Sequence, residues 1–435
     1  MLRNVWTTKR KRAARSGKAA RVAQVLSLSL LGGLLFCSAG RAQEGVRAVS
    51  TSQSSPASSF VSQGVDAGDY VYVSGQGPRR PNGSLAETLD AQVRQALDNI
   101  KAIVEAAGLT KDNVVYTQVY LTDMSKADEV NRAFAEYFPK VAPARAVLGV
   151  ARVPEGAVQI NAVAVRDLRD RRAIVPANFP RSDSFSPGML THDRLFISSI
   201  AGMEGGSGKI PDNPAEEVDL ALDRMKAIVN AAGLELSNVV FVNPYLTKEI
   251  PTKIMNEHYA RRFEFGNTPA RATIEVSSLP GGAHIEYTGV AVRDLRTRKA
   301  VRPKNMPPSP TASPCVFAGE TLYCSAKSGF IPGPHGGVYA PTTAAQLRQT
   351  MRNQLDNLEE AGMDFSQVVS TVVWLDDLGD SKEFDPVYGQ YLGPIMPSRT
   401  TVQQIKPGER TADSEGHYPD FEQMSLIAVQ RRPTH

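Results

Sequence analysis

A four-residue pattern occurs three times in this 435-residue chain and limits the folds it can adopt. Pro143-Ala144-Arg145-Ala146 returns with offsets of 126 and 128 residues, first as Pro269-Ala270-Arg271-Ala272 and then as Pro397-Ser398-Arg399-Thr400. A period near 127 residues is the length of a domain and exceeds the ~20 to 50 residues of solenoid repeats. The chain is therefore predicted to hold three copies of one domain: domain 1 (43–172), domain 2 (173–300) and the divergent domain 3 (301–435).

Each copy shows the same order of predicted elements. An opening β-hairpin turns at Gly68-Asp69 in domain 1, and a helix with apolar residues three and four apart follows and ends at Gly108. An alternating strand over 114–122, a second helix over 126–137 and two further strands complete the copy. The β-β-β-α-β-α-β-β order predicts an α+β fold with helices on one face of a sheet. The other face is also apolar in many strands, so three such sheets are expected to cover one another.

The first 42 residues differ from the rest of the chain. They carry nine basic residues and no acidic one, and an apolar run over 22–36 is followed by small residues at Gly40 and Ala42. That order predicts a secretory signal peptide cleaved near Ala42, with an uncleaved membrane anchor as the alternative. Export to the periplasm or the medium is therefore expected, with no stable membrane span after cleavage.

The charge of the chain excludes one class of partner. The whole chain carries +4, and without the nine basic residues of the leader it carries about −5. A mildly acidic protein lacks the basic surface that nucleic-acid binding requires. No nucleic-acid partner is expected.

Several motifs of domain 1, taken in order, resemble the Rid family (YjgF-like), which is also labelled endoribonuclease L-PSP. The resemblance covers nearly all of domains 1 and 2 and is looser in domain 3. It implies three tandem domains of the chorismate-mutase-like YjgF fold, arranged as a monomeric intrachain pseudo-trimer with its sheets around a central axis, and no cofactor. The motifs are Gly64-Val65-Asp66, Ser74-Gly75-Gln76, Ala96-Leu97-Asp98-Asn99, Tyr120-Leu121-Thr122-Asp123-Met124 and Pro143-Ala144-Arg145.

The resemblance also implies a chemistry, the hydrolysis of reactive 2-imino or 2-enamine acids to 2-keto acids and ammonia. It assigns the substrate carboxylate to the arginine at Arg145, Arg271 and Arg399. A guanidinium suits that role because its planar fork of donors matches a carboxylate and stays charged. A single such arginine on a strand could equally form an interface ion pair, but its recurrence in three copies favours binding.

The family also carries a water-positioning glutamate, whose counterparts here are Gln159, Glu286 and Gln423. Glutamine can hold a water molecule but cannot accept its proton, so only domain 2 keeps the carboxylate. The sequence therefore predicts one catalytic site built from Arg271 and Glu286, with slower or inactive sites in the other domains. The rival hypothesis is that the glutamate is dispensable, because a positioned imine hydrolyses readily.

Further cleft residues follow from the resemblance. Ser74 and Gly75 are expected to line the cleft in domain 1, and Asn131 and Asn256 match a family asparagine on the second helix. Together with Arg145, Arg399, Gln159 and Gln423 they form the predicted substrate-binding set. The departures from the family pattern are Asp385 at the asparagine position of domain 3 and Phe60 and Phe185 at the position of a family tyrosine.

Cys315 and Cys324 face each other directly if Gly319-Glu320 form the hairpin turn. At a non-hydrogen-bonded pair their thiols are close enough for a disulfide, which suits an exported protein, and two reduced core thiols are the open alternative. The six histidines are scattered without a ligand spacing, so no metal site is expected.

Three functional classes follow. The first is an imine or enamine deaminase acting on small carboxylate-bearing substrates, with keto acids as products. The second is a protein that binds small carboxylates without turnover, which the loss of glutamate in two domains favours. The third is the ribonuclease activity in the family's alternative label, which the negative charge argues against.

Overall fold

The computed structural model describes residues 45–56, 58–202, 208–333 and 337–430. The predicted leader and its cleavage near Ala42 lie outside these residues. Within the described ranges, no helix is both long enough and apolar enough to cross a membrane.

Domain 1 is a six-stranded sheet with two helices, in the strand order β1-β2-β3-β6-β4-β5. The pair β4 and β5 is parallel, and the other neighbours are antiparallel. The elements are β1 (Arg47–Val49), β2 (Gly64–Asp66), β3 (Tyr70–Gln76), α1 (Leu89–Ala106), β4 (Val114–Leu121), α2 (Ala127–Tyr137), β5 (Ala144–Gly149) and β6 (Val158–Val165).

Domains 2 and 3 repeat this arrangement. In domain 2 the last edge is split, so that β11 and β12 both pair with β10. The elements of domain 2 are β7 (Arg172–Ile174), β8 (Gly188–Leu190), β9 (Arg194–Ala201), α3 (Pro214–Ala231), β10 (Val239–Leu246), α4 (Thr252–Ala260), β11 (Ala270–Arg271), β12 (Ile274–Glu275) and β13 (Ile285–Val292). Those of domain 3 are β14 (Arg298–Val301), β15 (Cys315–Ala318), β16 (Thr321–Ser328), α5 (Thr343–Glu360), β17 (Val368–Leu375), α6 (Ser381–Tyr391), β18 (Ser398–Gln403) and β19 (Glu422–Val429).

The first helix of each domain is delimited by local sequence. The side chain of Thr88 accepts the Ala91 N–H at the start of α1, and Thr342 does the same for α5. The second residue after the helix is a glycine with a φ near +75°: 77° at Gly108, 76° at Gly233 and 72° at Gly362. Only glycine adopts that conformation readily, which explains the predicted helix ends.

The predicted order of elements is confirmed in all three domains, but two boundaries fall inside strands. Strand β7 pairs with β8 of domain 2, so that domain begins at Arg172 rather than at residue 173. Strand β14 pairs with β15, so domain 3 begins by Arg298, three residues before the predicted boundary. In both cases the predicted boundary divides the short first strand, leaving only its first residue (β7) or its first three residues (β14) in the preceding domain.

The three sheets share a core. Each sheet packs its own helices on one face, and the opposite faces meet in a cluster to which all three domains contribute. Tyr72, Phe196 and Tyr323 occupy equivalent positions in that cluster, on β3, β9 and β16. Burial of the second sheet faces against one another produces the predicted intrachain pseudo-trimer.

The hairpin of domain 3 has the expected register. Ala318 pairs with Thr321 across the Gly319-Glu320 turn, and Cys315 pairs with Cys324. The structure joins these two cysteines in a disulfide, with 4.0 Å between their Cα atoms. Both are fully buried under α5.

Candidate active site at the domain junctions

A serine at the end of each hairpin joins one domain to the next. The Ser198 hydroxyl of domain 2 accepts the backbone N–H of Arg145 of domain 1 at 2.7 Å and donates to the Ser186 carbonyl at 2.6 Å. Ser325 holds the Arg271 N–H at 2.8 Å in the same way, and Ser74 holds the Arg399 N–H at 2.9 Å. Each arginine therefore lies at a junction, named here cleft 1/2 (Arg145), cleft 2/3 (Arg271) and cleft 3/1 (Arg399).

The residues predicted to position water reach these clefts from the following domain. Gln159, Glu286 and Gln423 are equivalent, because each lies opposite the seventh residue of the central strand, Tyr120, Tyr245 or Trp374. Gln159 lines the same cavity as Arg399. Ser199, which follows the Ser198 that holds Arg145, donates a hydrogen bond to Glu286. Glu286 therefore belongs to cleft 1/2.

The prediction that Arg271 and Glu286 form one site is wrong. The two residues lie in the same sheet on either side of β10, where Arg271 pairs with Val242 and Glu286 with Tyr245. Arg271 and Glu286 are separated by two strand spacings across the sheet, which is about 10 Å. They are also separated by three residues along the strand direction, which is again about 10 Å. Arg271 is bonded by Ser325 of domain 3, whereas Glu286 is bonded by Ser199, the residue after the Ser198 that bonds Arg145 of domain 1. The carboxylate and its arginine come from successive domains.

Arg145 is buried, and one end of its guanidinium lacks a partner. Its Nη2 donates to Asn131 Oδ1 at 2.5 Å and to Ser184 Oγ at 3.3 Å, and the rings of Phe134 and Phe185 lie 4.6 and 5.5 Å from the guanidinium carbon. Its Nη1 is buried and makes no hydrogen bond to any described residue. Burial lowers the pKa of Arg145 to about 9, which leaves it charged at neutral pH. A buried unpaired donor on a cation is costly unless an anion completes it.

Glu286 is a buried carboxyl group in the same cleft. Burial raises its pKa to about 8; the hydrogen bond from Ser199 opposes that shift, and the nearby Glu217 carboxylate adds to it. A carboxyl group with a pKa near neutrality can both accept and donate a proton at working pH. A strongly perturbed carboxyl group beside a cationic anchor is typical of a catalytic site.

Cleft 2/3 has the arginine without the carboxylate. Arg271 Nη1 donates to Asn256 Oδ1 at 2.7 Å, and its guanidinium carbon lies 5.1 Å from the centre of the Tyr259 ring. Burial lowers the pKa of Arg271. Gln423 donates to Gln404 Oε1 at 3.3 Å. This cleft is equipped to bind an anion but lacks a carboxylate at the water-positioning site.

Cleft 3/1 holds a carboxylate of its own. Arg399 Nη2 lies 2.7 Å from Asp385 Oδ1, where the other clefts have Asn131 and Asn256. The cleft contains a cavity of about 440 Å³, within the usual range for a small-ligand site, and Gln159 lies on its wall. Arg152, on the same wall, lies 3.8 Å from Asp377, so a ligand carboxylate in this cleft meets two arginines that already have carboxylate partners.

Ser74 and Gly75, both predicted to line the cleft, have different roles in the structure. The Ser74 hydroxyl is committed to the junction, because it donates to the Ser62 carbonyl and accepts the Arg399 N–H, and Gly75 lines the cavity beside Gln159. A Cβ atom on Gly75 would come within 2.6 Å of the end of the Gln159 side chain, which would have to move.

Phe60 and Phe185 are not equivalent, contrary to the sequence prediction. Ser62 and Ser186 make the same backbone bonds, to the carbonyls of Pro397 and Pro143. The residues before these serines therefore correspond, and they are Val61 in domain 1 and Phe185 in domain 2.

One polar pair near Glu286, formed by Glu217 and His284, was not predicted from the sequence. Glu217, at the start of α3, accepts the backbone N–H groups of His284 and Ile285 at 2.7 and 3.2 Å, and its other oxygen lies 2.9 Å from His284 Nδ1. In domains 1 and 3 the side-chain oxygens of Gln92 and Gln346 accept the corresponding backbone N–H, both at 2.8 Å. A comparison of the three repeats at this helix position would have shown the change from glutamine to glutamate.

A smaller cavity of about 90 Å³ lies on the central axis. Aromatic, hydroxyl and amide side chains from all three domains line it, and no arginine or carboxylate does. Among the described residues there is also no cluster of three or more histidine, cysteine, aspartate or glutamate side chains that could hold a metal ion. The charged chemistry of the molecule is therefore found at the domain junctions.

Comparisons with known proteins agree with the threefold organisation. The family model described as endoribonuclease L-PSP matches residues 51–166, 177–293 and 305–407. A 2-iminobutanoate/2-iminopropanoate deaminase of Salmonella typhimurium is 44% identical over 109 residues, which are 24% of this chain and 85% of that protein. A RutC family protein of Pyrococcus horikoshii is 38% identical over 109 residues, covering 24% and 86%. Among solved structures, the YjgF gene product of E. coli is 38% identical, covers 28% of this chain and 99% of its own, and has a TM-score of 0.27.

Proposed function

From the premise that this chain belongs to the endoribonuclease L-PSP (YjgF-like) family, we propose that it hydrolyses small 2-imino and 2-enamine acids at cleft 1/2. One observation carries this proposal: two adjacent serines of domain 2, Ser198 and Ser199, bind a buried arginine of domain 1 with an unpaired Nη1 and a buried carboxyl group of domain 2. The deaminase relatives supply the substrate class, since their names give 2-iminobutanoate and 2-iminopropanoate.

Arg145 anchors the substrate. The carboxylate of a 2-imino acid offers the acceptor that Nη1 lacks, while Asn131 holds Nη2 and fixes the plane of the fork. The flanking rings of Phe134 and Phe185 exclude water and strengthen the ion pair. The anchored carboxylate directs the imine carbon toward Glu286.

Glu286 moves the protons. As its carboxylate, it accepts a proton from water while the water oxygen bonds to C2 of the iminium, giving a carbinolamine. It then returns that proton to the nitrogen, the C–N bond breaks, and the hydroxyl proton leaves with ammonia as ammonium. The products are the 2-keto acid and ammonium, and Glu286 is again ionised.

The raised pKa of Glu286 also serves enamine substrates. An enamine becomes an iminium only after a proton is added at C3, and a carboxyl group with a pKa of about 8 is largely protonated at pH 7. The positive iminium then favours the ionised carboxylate for the hydrolytic step. One residue can thus act as the acid and as the base.

The test is keto-acid and ammonia formation from 2-iminopropanoate and 2-iminobutanoate generated in situ. The protein is expected to accelerate both above the spontaneous rate, and an Arg145→Ala/Glu286→Gln double variant is expected to lose the share of that acceleration that comes from cleft 1/2. If the wild type gives no acceleration yet binds pyruvate, the clefts bind small carboxylates without turnover. Salt-sensitive RNA cleavage that survives in the double variant would instead support the ribonuclease label.

The place of action is a separate part of the proposal. Export, with cleavage near Ala42, would put the site in the periplasm or the medium, where it would meet imines formed outside the cytoplasm. Fractionation of the native host, with amino-terminal sequencing of the recovered protein, tests this point.

A further inference from the structure

Strand β16 of domain 3 carries a lysine at its cleft end. Lys327 pairs with Met424, just as Gln76 of domain 1 pairs with Ile160, and in both strands an irregularity in the register precedes the pair. Each residue also lies two positions after the junction serine, Ser325 or Ser74. Lys327 therefore occupies in domain 3 the place that Gln76 occupies in domain 1.

This equivalence places Lys327 at cleft 2/3. Gln76 lines the cavity of cleft 3/1 together with Arg399. The corresponding arginine of cleft 2/3 is Arg271, whose backbone N–H is held by Ser325 at 2.8 Å. A carboxylate anchor and a primary amine thus lie on the two sides of one cleft.

The surroundings of the two residues differ. In domain 1 the hydroxyls of Ser54 and Ser55 donate to Gln76 Oε1 at 3.2 and 2.9 Å. Lys327 is half-buried and makes neither a hydrogen bond nor an ion pair through its amine with any residue in the described part of the chain. Burial lowers its pKa, so more of the amine is uncharged at neutral pH than for a surface lysine.

We propose that Lys327 forms Schiff bases with 2-oxo and 2-imino acids whose carboxylate is held by Arg271. A weakly solvated, unpaired lysine is the form in which this side chain attacks carbonyl and imine carbons. The proposal rests on the carboxylate-binding role of the cleft arginines in the proposed function. It gives cleft 2/3, where Gln423 replaces the glutamate, a chemistry of its own.

The steps balance. The uncharged amine of Lys327 adds to C2 of a 2-iminium acid, a proton passes between the nitrogens, and ammonia leaves, giving a protonated Schiff base. Water then adds to C2, both of its protons pass to the lysine nitrogen, and the C–N bond breaks, releasing the 2-keto acid and Lys327 as its ammonium ion, which loses one proton to solvent before the next turnover. With a 2-keto acid the first step releases water instead of ammonia.

The experiment is trapping of the full chain with pyruvate and sodium cyanoborohydride, followed by peptide mass mapping. Lys253, whose side chain is 86% exposed, is the internal reference. Lys327 is expected to gain the reduced pyruvate adduct at least about tenfold faster than Lys253, because Arg271 holds the keto acid beside its amine and burial leaves more of that amine uncharged. Arg271→Gln is expected to reduce the rate at Lys327 and leave that at Lys253 unchanged.

Two further measurements make the test more specific. Acetaldehyde, which has no carboxylate, is expected to label Lys327 at a rate insensitive to Arg271→Gln. Lys327→Gln installs the residue found in domain 1 and is expected to remove only that adduct. Labelling of Lys327 no faster than Lys253 would overturn the proposal, as would pyruvate labelling that ignores Arg271→Gln. Trapping does not require turnover at Glu286, so a failure here and a failure of deamination at cleft 1/2 are read separately.

Discussion

Clefts 1/2 and 3/1 have equivalent backbone arrangements and differ in the position of their carboxylate. In cleft 1/2 the arginine is held by the neutral Asn131, and the acidic group, Glu286, lies across the junction. In cleft 3/1 the acidic group is Asp385, directly on Arg399. The first arrangement leaves a cation for the substrate and a proton acceptor for water, whereas the second uses its carboxylate to neutralise the cation. The position of one acid therefore distinguishes a reactive cleft from a merely polar one.

The largest expected effect comes from removing the acid of cleft 1/2. Glu286→Gln gives cleft 1/2 the residue of the other two clefts and is expected to lower kcat by about 10²-fold or more, since general acid–base catalysis contributes about 10² to 10⁴. Steady-state keto-acid formation measures it, with Gln159→Ala in cleft 3/1 as the control that leaves the rate unchanged. A Glu286→Gln enzyme with wild-type kcat would support the rival hypothesis, in which positioning alone suffices.

A gain of binding is expected in cleft 3/1 when its own acid is neutralised. Asp385→Asn reproduces the Arg–Asn pair of the other clefts and frees Arg399 for a ligand, so pyruvate affinity at this cleft should rise about tenfold. Titration calorimetry in an Arg145→Ala/Arg271→Ala background isolates the cleft. Glu383→Gln, an exposed charge removal on the same helix, is the matched control, and an equal gain there would show a general charge effect.

A pH shift is expected from the second acid near Glu286. The Glu217 carboxylate adds to the raised pKa of Glu286, and the other polar groups of the cleft are Ser199, His284 and Arg145. Glu217→Gln removes the negative charge, so the Glu286 pKa falls and the acid limb of kcat/KM moves to lower pH, by up to about one unit. Domains 1 and 3 carry glutamine here, so the helix start tolerates the change. A shift to higher pH would contradict the assignment.

A shift of the Glu286 pKa in the opposite direction is expected when Ser199 is replaced. Its hydrogen bond opposes the rise in the Glu286 pKa, so Ser199→Gly should move the acid limb to higher pH by about half a unit to one unit. Domain 1 has Gly75 at this position. The pH profile of kcat/KM is the measurement, and an unmoved limb would mean that the bond does not act on the ionised carboxylate.

The sequence predicted the repeated unit well, because the cues for it are local. Glycines end the first helices, alternation marks the strands, and the turn at Gly319-Glu320 gave the register of the hairpin in domain 3. The equivalence of Gln159, Glu286 and Gln423 was also correct, because counting along one strand gives it.

The pairing of residues across junctions could not be obtained in this way. Arg271 and Glu286 lie in one repeat, and their spacing does not reveal that each faces a different neighbour. That depends on how three sheets pack around an axis, through bonds such as that between Ser198 and Arg145, 53 residues apart. The effect of Asp385 on Arg399 was missed for a related reason: the departure from asparagine was visible, but the contact between the two side chains was not.

Cleft 1/2 takes its arginine, Arg145, from domain 1 and its acid, Glu286, from domain 2. Arg145→Gln and Arg271→Gln, compared in the 2-iminopropanoate assay with Lys327→Gln as the background of both, test this claim most directly. Arg145→Gln is expected to remove at least about 90% of kcat/KM, because a charged hydrogen bond to the substrate is lost, whereas Arg271→Gln is expected to leave kcat/KM near the wild-type value. Loss of activity with Arg271→Gln and its retention with Arg145→Gln would contradict the claim and return Glu286 to the arginine of its own domain.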